Sequence, residues 1–187
     1  KAELLLIGSA RMLPGPDNAA PVSVQFNGES IQESMIGSVR NLGVTMDNKL
    51  SWVKHIDNTV AKCCGILIGL ASARNVLPPR ILPLLIESLV FSHLRYCVQV
   101  YGNASHCHLQ KIQKVFNFAA RVISGRRKFE HISDVIRSLG WLSVRDFIAL
   151  NDVCLLHRVI TQQQPVSIAS QLTINRQVMS RTTRQSD

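Results

Sequence analysis

The chain has 187 residues, 46% of them hydrophobic, and a net charge of +9 from 21 Lys and Arg against 12 Asp and Glu. That much apolar material excludes a disordered chain and suffices for a packed core, and the length suits one domain or one domain with a piece of another. The positive excess suits a polyanion such as nucleic acid; a membrane surface would suit it too, so charge alone does not choose.

Five cysteines, Cys63, Cys64, Cys97, Cys107 and Cys154, are an odd number, and neighbours at 63 and 64 do not form an ordinary disulfide. They read as reduced thiols of an intracellular protein, with nucleus and cytoplasm not distinguishable and no signal peptide at the start. Ile81 to Val100 is the most apolar window, but it contains Glu87, His93 and Arg95. It reads as a buried core helix, and no membrane is expected as a partner. The start at Lys1 and the polar end read as a piece of something longer.

In chain order, Glu3 to Gly8 is a short apolar run consistent with a buried strand, and residues 9–21, with Pro14, Gly15, Pro16 and Pro21, form a loop. Val22, Val24 and Phe26 alternate with polar residues. Asn27-Gly28 then signals a hairpin, with Glu29 to Glu33 as its return strand. Val39 to Met46 is a further strand candidate. From Ser51, a plausible cap, a helix carries Trp52, Ile56, Val60, Cys63, Leu67 and Leu70 on one face and stops near Leu77, before Pro78-Pro79. Gly65 and Gly69 lie inside it, where close helix packing is expected. Arg80 to Val100 follows as a central helix with Pro83 in its first turns, and Tyr101-Gly102-Asn103 is a turn.

The next helix, Ser105 to Gly125, is the most informative stretch. Leu109, Ile112, Phe116, Ala119 and Ile123 place an apolar stripe on one side; Lys111, Lys114 and Arg121 fall on the other, with Phe118 among them. Ser105 is a plausible N-cap and Gly125 a plausible left-handed C-terminal residue. Arg126, Arg127 and Lys128 follow at once. Residues 88–129 hold no Asp or Glu, whereas an ordinary surface mixes its signs. The expected reading is a phosphate-facing surface of Lys111, Lys114, Phe118, Arg121, Arg126, Arg127 and Lys128; the plain alternative is a solvated polar face.

His131 to Leu139 reads as a short helix stopped by Gly140, with Trp141 folding back on its last turn. Ser143 and Asp146 then make a capping-box-like pair, with Leu142 and Phe147 as a hydrophobic staple, for a helix ending near Gln162. Beyond Pro165 the pattern fades into a basic tail. Trp52, Leu85, Ile112, Phe116, Leu142 and Phe147 are expected in the core.

No self-sufficient active site emerges. There is no CxxC, and consecutive His106, Cys107 and His108 diverge on a helix, so no metal site is expected. There is no GxSxG and no phosphate-cradling glycine loop. The helices of 131–163 invite a helix-turn-helix reading, but the second is nearly neutral, with Asp146 and Asp152 against Arg145 and Arg158.

The order of short motifs carries more. Asn41-Leu42-Gly43-Val44 precedes Asp47 and Leu50-Ser51. Tyr96-Cys97 precedes Tyr101-Gly102, and Leu109 to Gln113 precedes Asn117, Ala119, Ala120 and Arg121. His131-Ile132 precedes Leu139, Trp141-Leu142 and Val144. Together with Lys1 to Gly8, this series resembles the C-terminal part of the reverse transcriptase of non-LTR (LINE-type, jockey-like) retrotransposons, from Lys1 to about Leu156. Departures from the family pattern are Ala2 for Thr, Arg95 for Asp, Phe116 for Gln and Ser143 for Pro.

The resemblance implies the end of the palm with a primer-grip-like Asn41, Leu42, Gly43 and Val44 in residues 1–50, a helical thumb-like domain over 51–163, and a polar basic tail over 164–187. The implied fold class is α+β, mainly α: a small β hairpin region followed by a helical bundle. Lys1 resembles a lysine proposed to protonate the departing pyrophosphate. The implied function is to grip an RNA/DNA template–primer duplex alongside the upstream fingers and palm of the same polyprotein. The family's catalytic aspartates lie in motifs that this sequence lacks. No catalytic residue and no cofactor are therefore expected here, although Mg²⁺ serves the full-length family enzyme, and the chain alone should be inactive. The alternative is a helical protein-interaction module, a domesticated remnant binding an acidic partner.

Overall fold

The computed structural model describes residues 4–8, 23–32 and 37–172. Lys1, Ala2, Glu3, the expected loop of 9–21, Glu33 and residues 173–187 of the expected tail lie outside these. The architecture is α+β and mainly α, with two small antiparallel hairpins followed by helices. The chain groups into two compact units, Lys1–Asp146 and Phe147–Asp187.

Within the first unit, β1 (Ser23–Phe26) pairs with β2 (Glu29–Gln32) and β3 (Ser38–Asn41) with β4 (Val44–Asp47). Both turns are two residues long with positive φ at both positions: Asn27 50° and Gly28 82°, Leu42 45° and Gly43 88°. That backbone matches the right-handed twist of paired strands. The single strand expected over Val39 to Met46 is therefore a hairpin, turned at Leu42-Gly43. Residues 4–8 hold only an isolated bridge at Leu4, with the Gly8 N–H donating to the Asn48 carbonyl at 3.0 Å.

Helix α1 (Val53–Ala73) buries His55, Ile56, Cys63 and Leu67. Its start is organised by Asp47 together with Ser51, whose Oγ accepts the Val53 N–H at 3.5 Å. The Asp47 carboxylate accepts from the backbone N–H of Lys49, Ser51 and Trp52 and from the Ser51 hydroxyl, at 2.9–3.0 Å. Burial opposes its charge, but these bonds together outweigh burial and hold the carboxyl below its ordinary value. Trp52 precedes the helix in a left-handed conformation, φ 62°, with its side chain buried. By length and composition α1 could cross a membrane. Its buried side chains instead join the core with α5 (His106–Ser124), with which it packs most extensively. Gly65 and Gly69 do not serve close packing: a β-carbon at either would meet open space.

The expected central helix is broken. It comprises α2 (Ile81–Ile86), a π-helical turn (Glu87–Phe91), α3 (Ser92–Arg95), a kink, and α4 (Val98–Tyr101). The π turn inserts an extra residue into the helical register. It thereby buries Val90 and Phe91 side by side between Ile86 and Leu94. The kink lies at Cys97, φ 54°, and two tyrosines brace it: the Tyr101 hydroxyl donates to the Leu94 carbonyl and the Tyr96 hydroxyl to the Leu42 carbonyl. Tyr101 is buried, which pushes its hydroxyl pKa up. Leu85, expected in the core, is only half-buried.

Helix α5 buries Ile112, Val115, Phe116, Ala119, Ala120 and Val122, a wider band than one stripe, because α1 and α2 both pack on it. Phe116 stacks on Phe91 (centroids 4.5 Å apart, planes 20° apart), and Trp141 meets Phe91 edge-on at 4.6 Å. Trp141 thus joins an aromatic cluster. The Schellman geometry that ends α6 (Ser133–Ser138) is nonetheless present: the Trp141 N–H donates to the Ile136 carbonyl, the Gly140 N–H to that of Arg137, and Gly140 has φ 67°.

Helix α7 (Val144–Gln162) begins on the expected cap. The Asp146 N–H donates to Ser143 Oγ at 3.2 Å, and the Ser143 hydroxyl donates to Asp146 Oδ2 at 2.6 Å. Gln113 Oε1 accepts the Val144 N–H at 2.9 Å, tying α5 to that start. The staple partner Leu142 is 41% exposed, so the core position assigned to it is not filled. In the second unit Phe147, Ile148 and Val159 are buried, while Leu150, Val153, Leu156 and Ile160 are exposed. A short α8 (Val166–Ala169) follows Pro165, where the pattern was expected to fade.

Candidate nucleic-acid interface

The polar side of α5 does not face open solvent along its whole length. Beside it, the C-terminal end of α1 and the loop after Gly125 enclose a cleft of about 750 Å³. Five cationic side chains line it, Arg74, Lys114, Arg121, Arg126 and Lys128, with Phe118 among them and no carboxylate. Local sequence sets this arrangement. Lys114, Phe118 and Arg121 follow at spacings of four and three, so they share one face of α5. Gly125 then takes φ 72°, its N–H donating to the Arg121 carbonyl at 2.7 Å, and turns the basic run back beside the helix.

The cations differ in their engagement. Arg121 donates to the carbonyls of Asn117, Arg127 and Glu130, each at 3.3 Å, and so braces the 125–130 loop. Arg126 forms a two-pronged pair with Asp134, both contacts at 2.5 Å, and also donates to the His131 carbonyl. Those hydrogen bonds from Arg126 hold the Asp134 carboxyl down to about 2. Lys114 and Arg74 have no ion-pair partner among the described residues. Lys128 lies over the Phe129 ring, 5.6 Å from its centroid.

Of the seven residues expected to face phosphate, the cleft gathers Lys114, Phe118, Arg121, Arg126 and Lys128. Lys111 does not line the cleft and pairs with Asp57 of α1. Arg127 does not line the cleft, and its backbone N–H donates to Glu130 at 3.0 Å. Ser105 stands at the N-cap position, but its hydroxyl contacts the Cys107 thiol at 3.1 Å instead of capping an amide. Sequence reading missed Arg74. It comes forty residues before Lys114, just after α1, and no spacing rule joins the two. Its guanidinium lies over Gly125, where a β-carbon would collide with it.

The other expected element, Asn41 to Val44, forms the tip of the β3–β4 hairpin. Leu42 is 83% exposed, Asn41 and Gly43 are exposed, and Val44 is buried. Among the described residues no three His, Cys, Asp or Glu side chains gather as a metal site.

Arranged this way, the cleft can hold an anion by charge and present Phe118 to an aromatic ring. No family model matches the chain, and no solved structure matches it. The chain is 31% identical over 119 residues to the RNA-directed DNA polymerase from the mobile element jockey of Drosophila melanogaster, a stretch covering 62% of this chain and 13% of that protein. The chain spans only a small part of the length of the curated relative it matches.

Proposed function

We propose that the chain is the end of the palm, the primer grip and the thumb of a non-LTR retrotransposon reverse transcriptase, and that it grips the template–primer duplex without performing the chemistry. The observation that carries this reading is the carboxylate-free cationic cleft between α1 and α5, in a chain similar to an RNA-directed DNA polymerase. Arg74, Lys114 and Lys128 meet backbone phosphates, Arg121 and Arg126 hold the loop that shapes the cleft, and Phe118 offers a face to a base. The exposed tip at Leu42-Gly43 lies against the primer strand. Upstream fingers and palm of the same polyprotein supply the aspartates and Mg²⁺, and the protein works inside the cell, away from membranes.

Fluorescence anisotropy with an RNA–DNA hybrid tests this. Binding should be insensitive to sequence and should weaken as salt rises, because phosphates carry no sequence information and their counterions are released. Absence of binding at low salt refutes the reading. In a primer-extension assay with dNTPs and Mg²⁺ or Mn²⁺, the purified chain should add no nucleotide, since two-metal transfer needs a carboxylate set. Robust extension lost on chelation would overturn that.

A second reading is a helical protein-interaction module that binds an acidic partner. The exposed Leu150, Val153, Leu156 and Ile160 of α7 favour it, as do the ion pairs that occupy Lys111 with Asp57 and Arg126 with Asp134. It gains if duplex binding fails while the folded chain still binds an acidic polypeptide.

A further inference from the structure

A second hollow, of about 340 Å³, lies where the β3–β4 hairpin meets α1 and α3, and shares no residue with the cationic cleft. Arg40 of β3, Lys62 of α1 and His93 of α3 bring positive or protonatable groups to it from three elements, and no carboxylate lines it. His55, Asn58, Thr59 and Lys62 follow on α1 at spacings of three, one and three, which places all four on one helix face toward the hairpin.

His55 is the unusual member. It is 7% exposed, the one buried polar or charged side chain among the described residues. Its Nδ1 accepts the Thr45 N–H at 3.4 Å. A neutral imidazole accepting at Nδ1 carries its proton on Nε2. That Nε2 has no hydrogen-bond partner among the described residues. Burial, and then nearby Arg40, hold the His55 pKa below its ordinary 6.5, so the ring is neutral at pH 7 and remains a donor. A buried donor without an acceptor is rare in folded proteins and calls for an explanation, such as a missing water or ion. Here the unsatisfied donor belongs to a residue lining a hollow with an excess of cations and a threonine hydroxyl and asparagine amide at its wall. The group complementary to that set is a compact oxyanion with several acceptor oxygens.

We propose that this hollow is a phosphate-binding site, in which Arg40, Lys62 and His93 supply the positive charge and the His55 ring at its wall senses the bound group. The recognised chemistry is the phosphate group itself, carried on the end of a nucleic-acid strand or free in solution. The inference does not rest on the duplex-gripping reading, since none of the cleft cations takes part.

The test follows the His55 imidazole signal of the full chain by NMR with ¹⁵N-labelled histidine at pH 7. The probes are inorganic phosphate, chloride at equal ionic strength, and a short deoxyoligonucleotide with and without a 5′-phosphate. Phosphate should shift the signal saturably and chloride should not. Arg40→Gln with Lys62→Gln, both at exposed positions, should weaken the titration at least tenfold without unfolding the chain. Lys114→Gln with Lys128→Gln should leave it unchanged, which separates this site from the cleft. A saturable His55 shift with the 5′-phosphorylated strand that is at least tenfold tighter than with the unphosphorylated strand assigns the site to a strand end; a shift with inorganic phosphate and no difference between the two strands assigns it to free phosphate. The proposal is overturned if neither phosphate source moves His55 saturably, or if the Arg40→Gln, Lys62→Gln variant titrates like the wild type.

Discussion

The sharpest test of the cationic cleft is to remove its uncommitted charges and read the salt dependence of binding. Arg74, Lys114 and Lys128 line the cleft without an ion-pair partner among the described residues. Arg126 is already matched by Asp134, and Arg121 is spent on three backbone carbonyls. The structure therefore counts three cations free to neutralise phosphate. On B-form DNA each contact contributes about 0.9 to the slope of log affinity against log salt, so Arg74→Gln, Lys114→Gln and Lys128→Gln together should flatten it by about 2.7. Between 50 and 200 mM salt those three contacts should account for a loss of affinity of about 40-fold, which the triple variant should no longer show. Lys111→Gln, at a residue that pairs with Asp57 and does not line the cleft, should change the slope by less than about one unit. Anisotropy titrations at four salt concentrations give the slopes, and circular dichroism confirms that each variant is folded. An unchanged slope in a folded triple variant refutes the assignment of the cleft to phosphate.

Two further predictions concern stability. Asp47→Ala should cost about 1–2 kcal/mol in urea denaturation, since it deletes the carboxylate that holds the turn leading into α1. The folded carboxyl titrates below its ordinary 3.8, so this stabilisation is present above that value and lost as pH falls through the folded one. The gap between wild type and Asp47→Ala should accordingly stay constant from about pH 5 to 8 and narrow below about pH 4; a gap that widens in acid contradicts this. Gly125→Ala should cost about 1–2 kcal/mol, because the residue sits at φ 72° and a β-carbon there displaces Arg74. An unchanged urea midpoint would show that the loop relaxes freely.

The limits of α5 and α7 were legible because their signals are local: an apolar period, a terminal glycine, a serine cap with its carboxylate three residues on. Asn27-Gly28 and the Leu-Gly-Trp corner at 139–141 were equally local. What escaped depends on partners distant in the chain. Leu42-Gly43 is a turn although leucine seldom takes positive φ, and Pro78-Pro79 predicted a stop where nothing predicted the kink at Cys97. The band of Val115, Ala120 and Val122 is buried because neighbouring helices pack on more of α5 than one stripe. Five of the seven residues named for the interface fall around one cleft, since they share a helix face and the loop that ends it. Lys111 pairs with a residue 54 positions earlier, and periodicity carries no trace of that.

The Tyr96 hydroxyl bond to Leu42 joins two parts of the chain that otherwise have separate reasons for their shapes. Tyr96 stands next to Cys97, where the backbone must enter a left-handed conformation, and its ring covers Gly43 at the hairpin turn. The tip of the hairpin is therefore fastened at a point of stored backbone strain. A load that pulls the tip is passed to the kink, and a change of angle at the kink swings the tip. Tyr96 works as the pin of a lever whose short arm lies in the helical core and whose long arm is the two-stranded ribbon of residues 38–47.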